Sequence, residues 1–69
     1  MRLTLNSHWI DWLTRLPESG MGYQRVRVRL LNGTVIPRAV VLNAEVLQVE
    51  DSTPPFHAAD IAQIEIEPS

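Results

Sequence analysis

The 69-residue sequence predicts a single, small, mainly β domain (small α+β). A short N-terminal helix over about residues 7–16 precedes a strongly bent sheet of about five strands, over about 23–67, that curls into a barrel. Three observations predict it. Tyr23 to Leu31 alternates without a break, with Val26, Val28 and Leu30 on one face and Tyr23, Arg25, Arg27 and Arg29 on the other. That is the period of a strand with one side buried. Turn-forming residues recur at short spacing, at Asn32-Gly33 and Asn43-Ala44. Earlier in the chain Trp9, Trp12, Leu13 and Leu16 follow instead the i, i+3, i+4, i+7 spacing of one helix face. A flat sheet of this size would leave its inner face and both edges uncovered, so the strands are expected to close on themselves.

Element by element, Met1, Leu3 and Leu5 alternate with Arg2, Thr4 and Asn6 and read as a short strand or extended arm. The spacing does not decide whether that arm pairs within the chain or with a neighbour. Asn6 or Ser7 then caps the helix by accepting an otherwise unpaired backbone N–H. Pro17 stops it, because the residue before a proline is pushed out of helical geometry. Pro17 to Gly22 is a loop by its proline and glycines. Asn32-Gly33 signals a two-residue type I′ hairpin, pairing Leu31 with Thr34 and setting Leu30 opposite Val35. The return strand, Thr34 to Leu42, contains Pro37, which has no N–H to give a ladder and so requires an edge or a bulge. A bulge would also bend the strand, as the corners of small barrels need. Asn43-Ala44 is a weaker turn, since alanine resists positive φ. Glu45 to Val49 forms the next strand, with Leu47 and Val49 on one face. Asp51 to Pro55 is a loop, Phe56 a core plug beside it, and His57 to Asp60 a single helical turn. In the last strand Ala62, Ile64 and Ile66 alternate with Gln63, Glu65 and Glu67, and Pro68 ends the run.

The succession Val26-Arg27-Val28-Arg29-Leu30-Leu31-Asn32-Gly33, Val40-Val41-Leu42-Asn43 and Asp60-Ile61-Ala62-Gln63-Ile64-Glu65-Ile66 resembles the SH3-like and Sm-like small barrels. The resemblance covers roughly Tyr23 to Glu67 and is one of topology, carried by generic strand and turn residues. It implies a closed barrel with a one-turn helix before the last strand.

A chain this short buries only roughly 60% of the surface its unfolded form exposes. Its core is expected to supply about 3–5 kcal/mol at most, so a partner subunit is the natural supplement. There is no cysteine, which excludes disulfides and thiolate metal sites and fits a reducing compartment. The apolar runs fall short of a membrane span and the first residues are too polar for a signal peptide, so the expected location is the cytoplasm, with no membrane partner. A net charge of −2 argues against a general nucleic-acid binder. All six basic residues are arginines at or before Arg38, whereas Glu45, Glu50, Asp51, Asp60, Glu65 and Glu67 follow position 40. A basic front half and an acidic back half attract each other, within one chain or between two.

Candidate contact residues follow from these patterns. Arg25, Arg27 and Arg29 project from one strand face about 7 Å apart, a spacing that matches successive phosphates, with Tyr23 as a stacking platform. In a closed barrel the same arginines would instead meet Glu65 and Glu67 of the last strand as cross-strand ion pairs. Trp9 and Trp12 share a helix face, suited to capping the barrel or to contact with another copy. His8 and His57, even with Asp11, Asp51 or Asp60, fit no common metal spacing, and no nucleophile elbow surrounds Ser7, Ser19 or Ser52. No catalytic residue, metal or cofactor is expected. Gly20-Met21-Gly22 with Arg25-Val26-Arg27, and later Gln63-Ile64, also resembles the small tetrameric barrel dihydrofolate reductases of resistance plasmids. That resemblance implies Gln63 and Ile64 as pore-lining residues, but Glu65 stands at the tyrosine position and the chain has no lysine. The expected function is therefore a non-enzymatic interaction module that binds itself or another protein. Single-stranded RNA on the arginine strand is the alternative, and the reductase a third.

Overall fold

The computed structural model describes residues 1–67 and is mostly β, with five antiparallel strands in one sheet. In chain order these are β1 (Arg2–Thr4), β2 (Tyr23–Leu30), β3 (Val35–Leu42), β4 (Val46–Gln48) and β5 (Ile61–Ile66). Their spatial order is β1-β4-β3-β2-β5. The N-terminal arm pairs within its own chain, with Leu3 opposite Leu47. Between β1 and β2 lies helix α1 (Ser7–Thr14), capped by Asn6, whose side chain accepts the Trp9 N–H at 3.2 Å. The helix is shorter than its apolar spacing suggests. Ahead of Pro17 the chain tightens, and the Arg15 and Leu16 N–H groups reach back three residues, to Trp12 and Leu13. A 3₁₀ turn (Ala58–Asp60) precedes β5, and the Asp60 carboxylate accepts the His57 N–H at 2.9 Å.

Two one-residue offsets decide which side chains enter the core. On β3, Ala39 faces Val26 and Ile36 faces Val28, so Pro37 and Arg38 together oppose Arg27. This is the bulge that Pro37 demands, with Arg38 at φ 58°. Strict alternation from Ile36 would send Arg38 and Val40 inward. The extra residue inverts the parity, so Ala39 and Val41 are buried instead. A second irregularity sets Gln63 opposite Arg29 but Ile61 opposite Leu30, leaving Ala62 as the extra residue. Ile61 and Ile64 are both buried and Ala62 is exposed, which corrects the expectation that Ala62 shares a face with Ile64 and Ile66.

The Asn32-Gly33 hairpin also differs from expectation. Leu30 N–H donates to the Thr34 carbonyl at 2.8 Å and Gly33 N–H to the Leu30 carbonyl at 2.9 Å, enclosing a three-residue loop. Only Gly33 has positive φ (91°); Asn32 instead accepts the Thr34 N–H on its side chain at 2.9 Å. The register therefore moves by one, with Val35 opposite Arg29 and Ile36 opposite Val28. Ile36 is 4% exposed and Val35 45%. The larger side chain holds the inner position. Asn43 and Ala44, at φ 51° and 59°, do form the second tight turn, closed by Glu45 N–H to the Leu42 carbonyl at 3.0 Å.

The core joins Leu5, Trp9 and Leu13 to inward residues of every later strand and to Phe56. One polar side chain lies among them. Gln24, 3% exposed, donates to the carbonyls of Leu13 (3.0 Å), Leu16 (3.3 Å) and Pro17 (3.4 Å), at and just beyond the C-terminal end of α1. Among the described residues β1 and β5 share no ladder, so the sheet is open where a barrel was expected. Helix α1, starting two residues beyond β1, reaches β5 instead. Glu67 N–H donates to the Arg25 carbonyl, which makes the Arg25–Glu67 and Arg27–Glu65 pairs the hydrogen-bonded ones. The Ile64 carbonyl consequently faces away from β2, and it accepts the Trp12 indole N–H at 3.4 Å. Among the described residues no helix is long and apolar enough to cross a membrane.

Candidate functional site

Arg25, Arg27 and Arg29 all stand exposed on the outer face of β2, because Val26, Val28 and Leu30 take the inner one. The structure pairs only the middle of the three with an acid among the described residues. Arg27 meets Glu65 at 3.2 Å, directly across the ladder. Arg29 lies opposite Gln63, and Arg25 opposite Glu67 without an ion pair. The Glu67 carboxylate turns to β3 and accepts the backbone N–H of Arg38 at 3.2 Å, while the Arg38 guanidinium pairs with Glu50 at 3.3 Å. Arg2 donates to the Gln48 side chain on β4 at 3.1 Å. Five of the six arginines thus project from the outer face of the sheet.

Charge is accordingly segregated. On that face five arginines oppose Glu50, Glu65 and Glu67, leaving two positive charges; the rest of the chain, with Arg15 against five acids, is four negative. A depression of about 290 Å³ opens on the positive face between Arg25, Arg38, Val40 and Glu67. Next to it a row of half-buried apolar residues, Tyr23, Leu42 and Val46, crosses three strands in register. Tyr23 is not a freely offered ring. It packs over Gly20 so closely that a Cβ there would overlap it.

The two tryptophans part company. Trp9 is buried in the core with His8 edge-on to it, ring centroids 4.9 Å apart, so it forms no part of an accessible surface. Trp12 is 46% exposed. The pore-lining pair suggested by the reductase resemblance is split as well, with Gln63 exposed and Ile64 inside the chain's own core. Among the described residues no group of three His, Asp or Glu side chains converges as a metal site would require.

One surface was missed in the sequence. Between the β2–β3 hairpin and the Thr53-Pro54-Pro55-Phe56 segment lies a groove of about 450 Å³, lined on its apolar side by Leu30, Leu31, Ile36, Pro54, Pro55 and Phe56. Leu31, 71% exposed, forms its lip, and Asp60 is its one charged lining residue. The signal was present in the apolar Leu31 beside a turn and in the double proline. The two segments are distant in sequence, however, and the fold brings them together through the core shared by Leu30, Ile36 and Phe56 and through the Leu31 N–H to the Asp60 carbonyl at 2.8 Å. No family model, curated protein or solved structure matches this chain.

Proposed function

We propose that the chain is a non-enzymatic protein-interaction module, an open sheet with the strand succession of the SH3-like and Sm-like domains, that self-associates through the groove beside Leu31. The observation that supports this reading is Leu31 itself. A large aliphatic side chain stands mostly in water at the rim of an apolar groove, while the core below is complete without it. The small size of that core favours a partner subunit, and the absence of cysteine favours a cytoplasmic setting. Sedimentation velocity across the micromolar range tests the reading. The wild-type chain is expected to move to a larger species with concentration, and Leu31→Ser to remain a folded monomer. A wild-type chain that stays monomeric throughout would remove self-association.

A second reading, single-stranded nucleic acid on the arginine strand, is favoured by Arg25 and Arg29, which have no acidic side chain paired to them among the described residues. Titration with mixed oligonucleotides at low salt tests it; binding that does not weaken as salt rises would exclude it.

A further inference from the structure

We infer that the positive outer face is a separate docking surface for an acidic, aliphatic segment of a partner protein, and that Glu67 is its built-in competitor. The depression beside the β3 bulge already holds a carboxylate, that of Glu67. Its donor is unusual in origin. Because Arg38 is the extra residue of the bulge, at φ 58°, its backbone N–H is directed to a side chain. Arg25 and Arg38 line the same hollow, the Arg38 guanidinium being paired with Glu50 at 3.3 Å. The Glu67 carboxylate is held by this one backbone donor, with no ion pair to either arginine among the described residues, so an incoming carboxylate competes with a single charge-assisted hydrogen bond while Arg25 stays available to it.

Charge selects the partner. This face carries two net positive charges, which favours an acidic partner and disfavours pairing of two such faces with each other. Half-buried Val40, Leu42 and Val46 beside the hollow suit aliphatic side chains that alternate with acids along an extended segment. Nucleic acid would want an exposed aromatic platform, and Tyr23, the face's one aromatic among the described residues, is packed on Gly20. The inference rests on the chain being an interaction module, but not on the groove or on self-association.

Fluorescence anisotropy at low salt tests it, using a short labelled peptide that alternates glutamate with valine, its glutamine analogue, and a thymidine oligonucleotide of equal charge. The acidic peptide is expected to bind and the glutamine peptide to bind about tenfold more weakly, given the strength of charge-assisted contacts. Arg25→Gln, at an exposed position, should weaken the acidic peptide about threefold, and Glu67→Gln should tighten it by about the same factor, with Glu67→Ala at least as effective. Circular dichroism of each variant should match the wild type. No binding, equal binding of the two peptides, tighter binding of the oligonucleotide, or no response to Glu67→Gln and Glu67→Ala would each overturn the inference. Sedimentation of the same samples separates the two proposals, since a monomer that binds the acidic peptide refutes only self-association, and an oligomer that ignores it refutes only this surface.

Discussion

The Gln24 amide donates to the Leu13 carbonyl at 3.0 Å, and by this contact the sheet completes the helix. The Leu13 carbonyl also accepts the Leu16 N–H, whereas the Leu16 and Pro17 carbonyls, beyond the helix end, have Gln24 as their partner. Gln24→Leu keeps the approximate shape but strands these acceptors. It should lower unfolding free energy by about 1–3 kcal/mol, read from the denaturation midpoint, whereas Gln63→Leu on the exposed face should stay within about 0.5 kcal/mol. Equal effects of the two would show that Gln24 does not hold the helix.

Trp12 guards the outer edge of β5. Its indole covers the Ile64 carbonyl on the side where another strand would otherwise add. Trp12→Ala should therefore raise light scattering on mild heating, while Trp12→Phe, which keeps the bulk and loses the donor, should scatter less than the alanine variant. Scattering that tracks the lost hydrogen bond and not the lost bulk would contradict the shielding role.

Ala44 sits at φ 59°, a conformation that L-residues with a Cβ resist and glycine accepts. Ala44→Gly should stabilise the chain by about 0.5 kcal/mol, the relief of strain exceeding the added chain entropy. The converse holds at Gly33, φ 91°, where a Cβ would meet no neighbour. Gly33→Ala should cost about 1 kcal/mol from backbone strain alone. Thermal denaturation of both variants checks the opposite signs.

Arg27 and Glu65 face each other across β2 and β5 but remain in contact with solvent. A double-mutant cycle between them should give a coupling below about 1 kcal/mol, falling further as salt rises. A larger, salt-insensitive coupling would mean that the arginine strand is chiefly structural.

The parts legible in the sequence were those fixed by local chemistry. A cap at Asn6 or Ser7, Pro17 as helix stop, an edge or bulge at Pro37 and the Asn43-Ala44 turn each follow from the local chemistry of one or two residues. Side-chain parity was less legible, because a single extra residue reverses it. Ala62 shares a face with Ile64 on paper, yet the irregularity opposite Leu30 places it in water. The Asn32-Gly33 turn failed for a related reason, since the asparagine side chain bonds Thr34 and the choice between burying Val35 or Ile36 is made by the core, not the turn. Of the candidate contact residues, Trp9 was indistinguishable from Trp12 by helical spacing; only the position of β5 separates them. The groove beside Leu31 and the carboxylate hollow at Arg38 both depend on segments distant in sequence.

Nitrogen–proton NMR spectra recorded over a dilution series test the self-association surface most directly. The amide signals of Leu31, Asn32, Thr53 and Phe56 should move with concentration while those of Arg27 and Arg29 stay fixed. Signals that are constant throughout, or that move on the arginine strand and not at the groove, would contradict it.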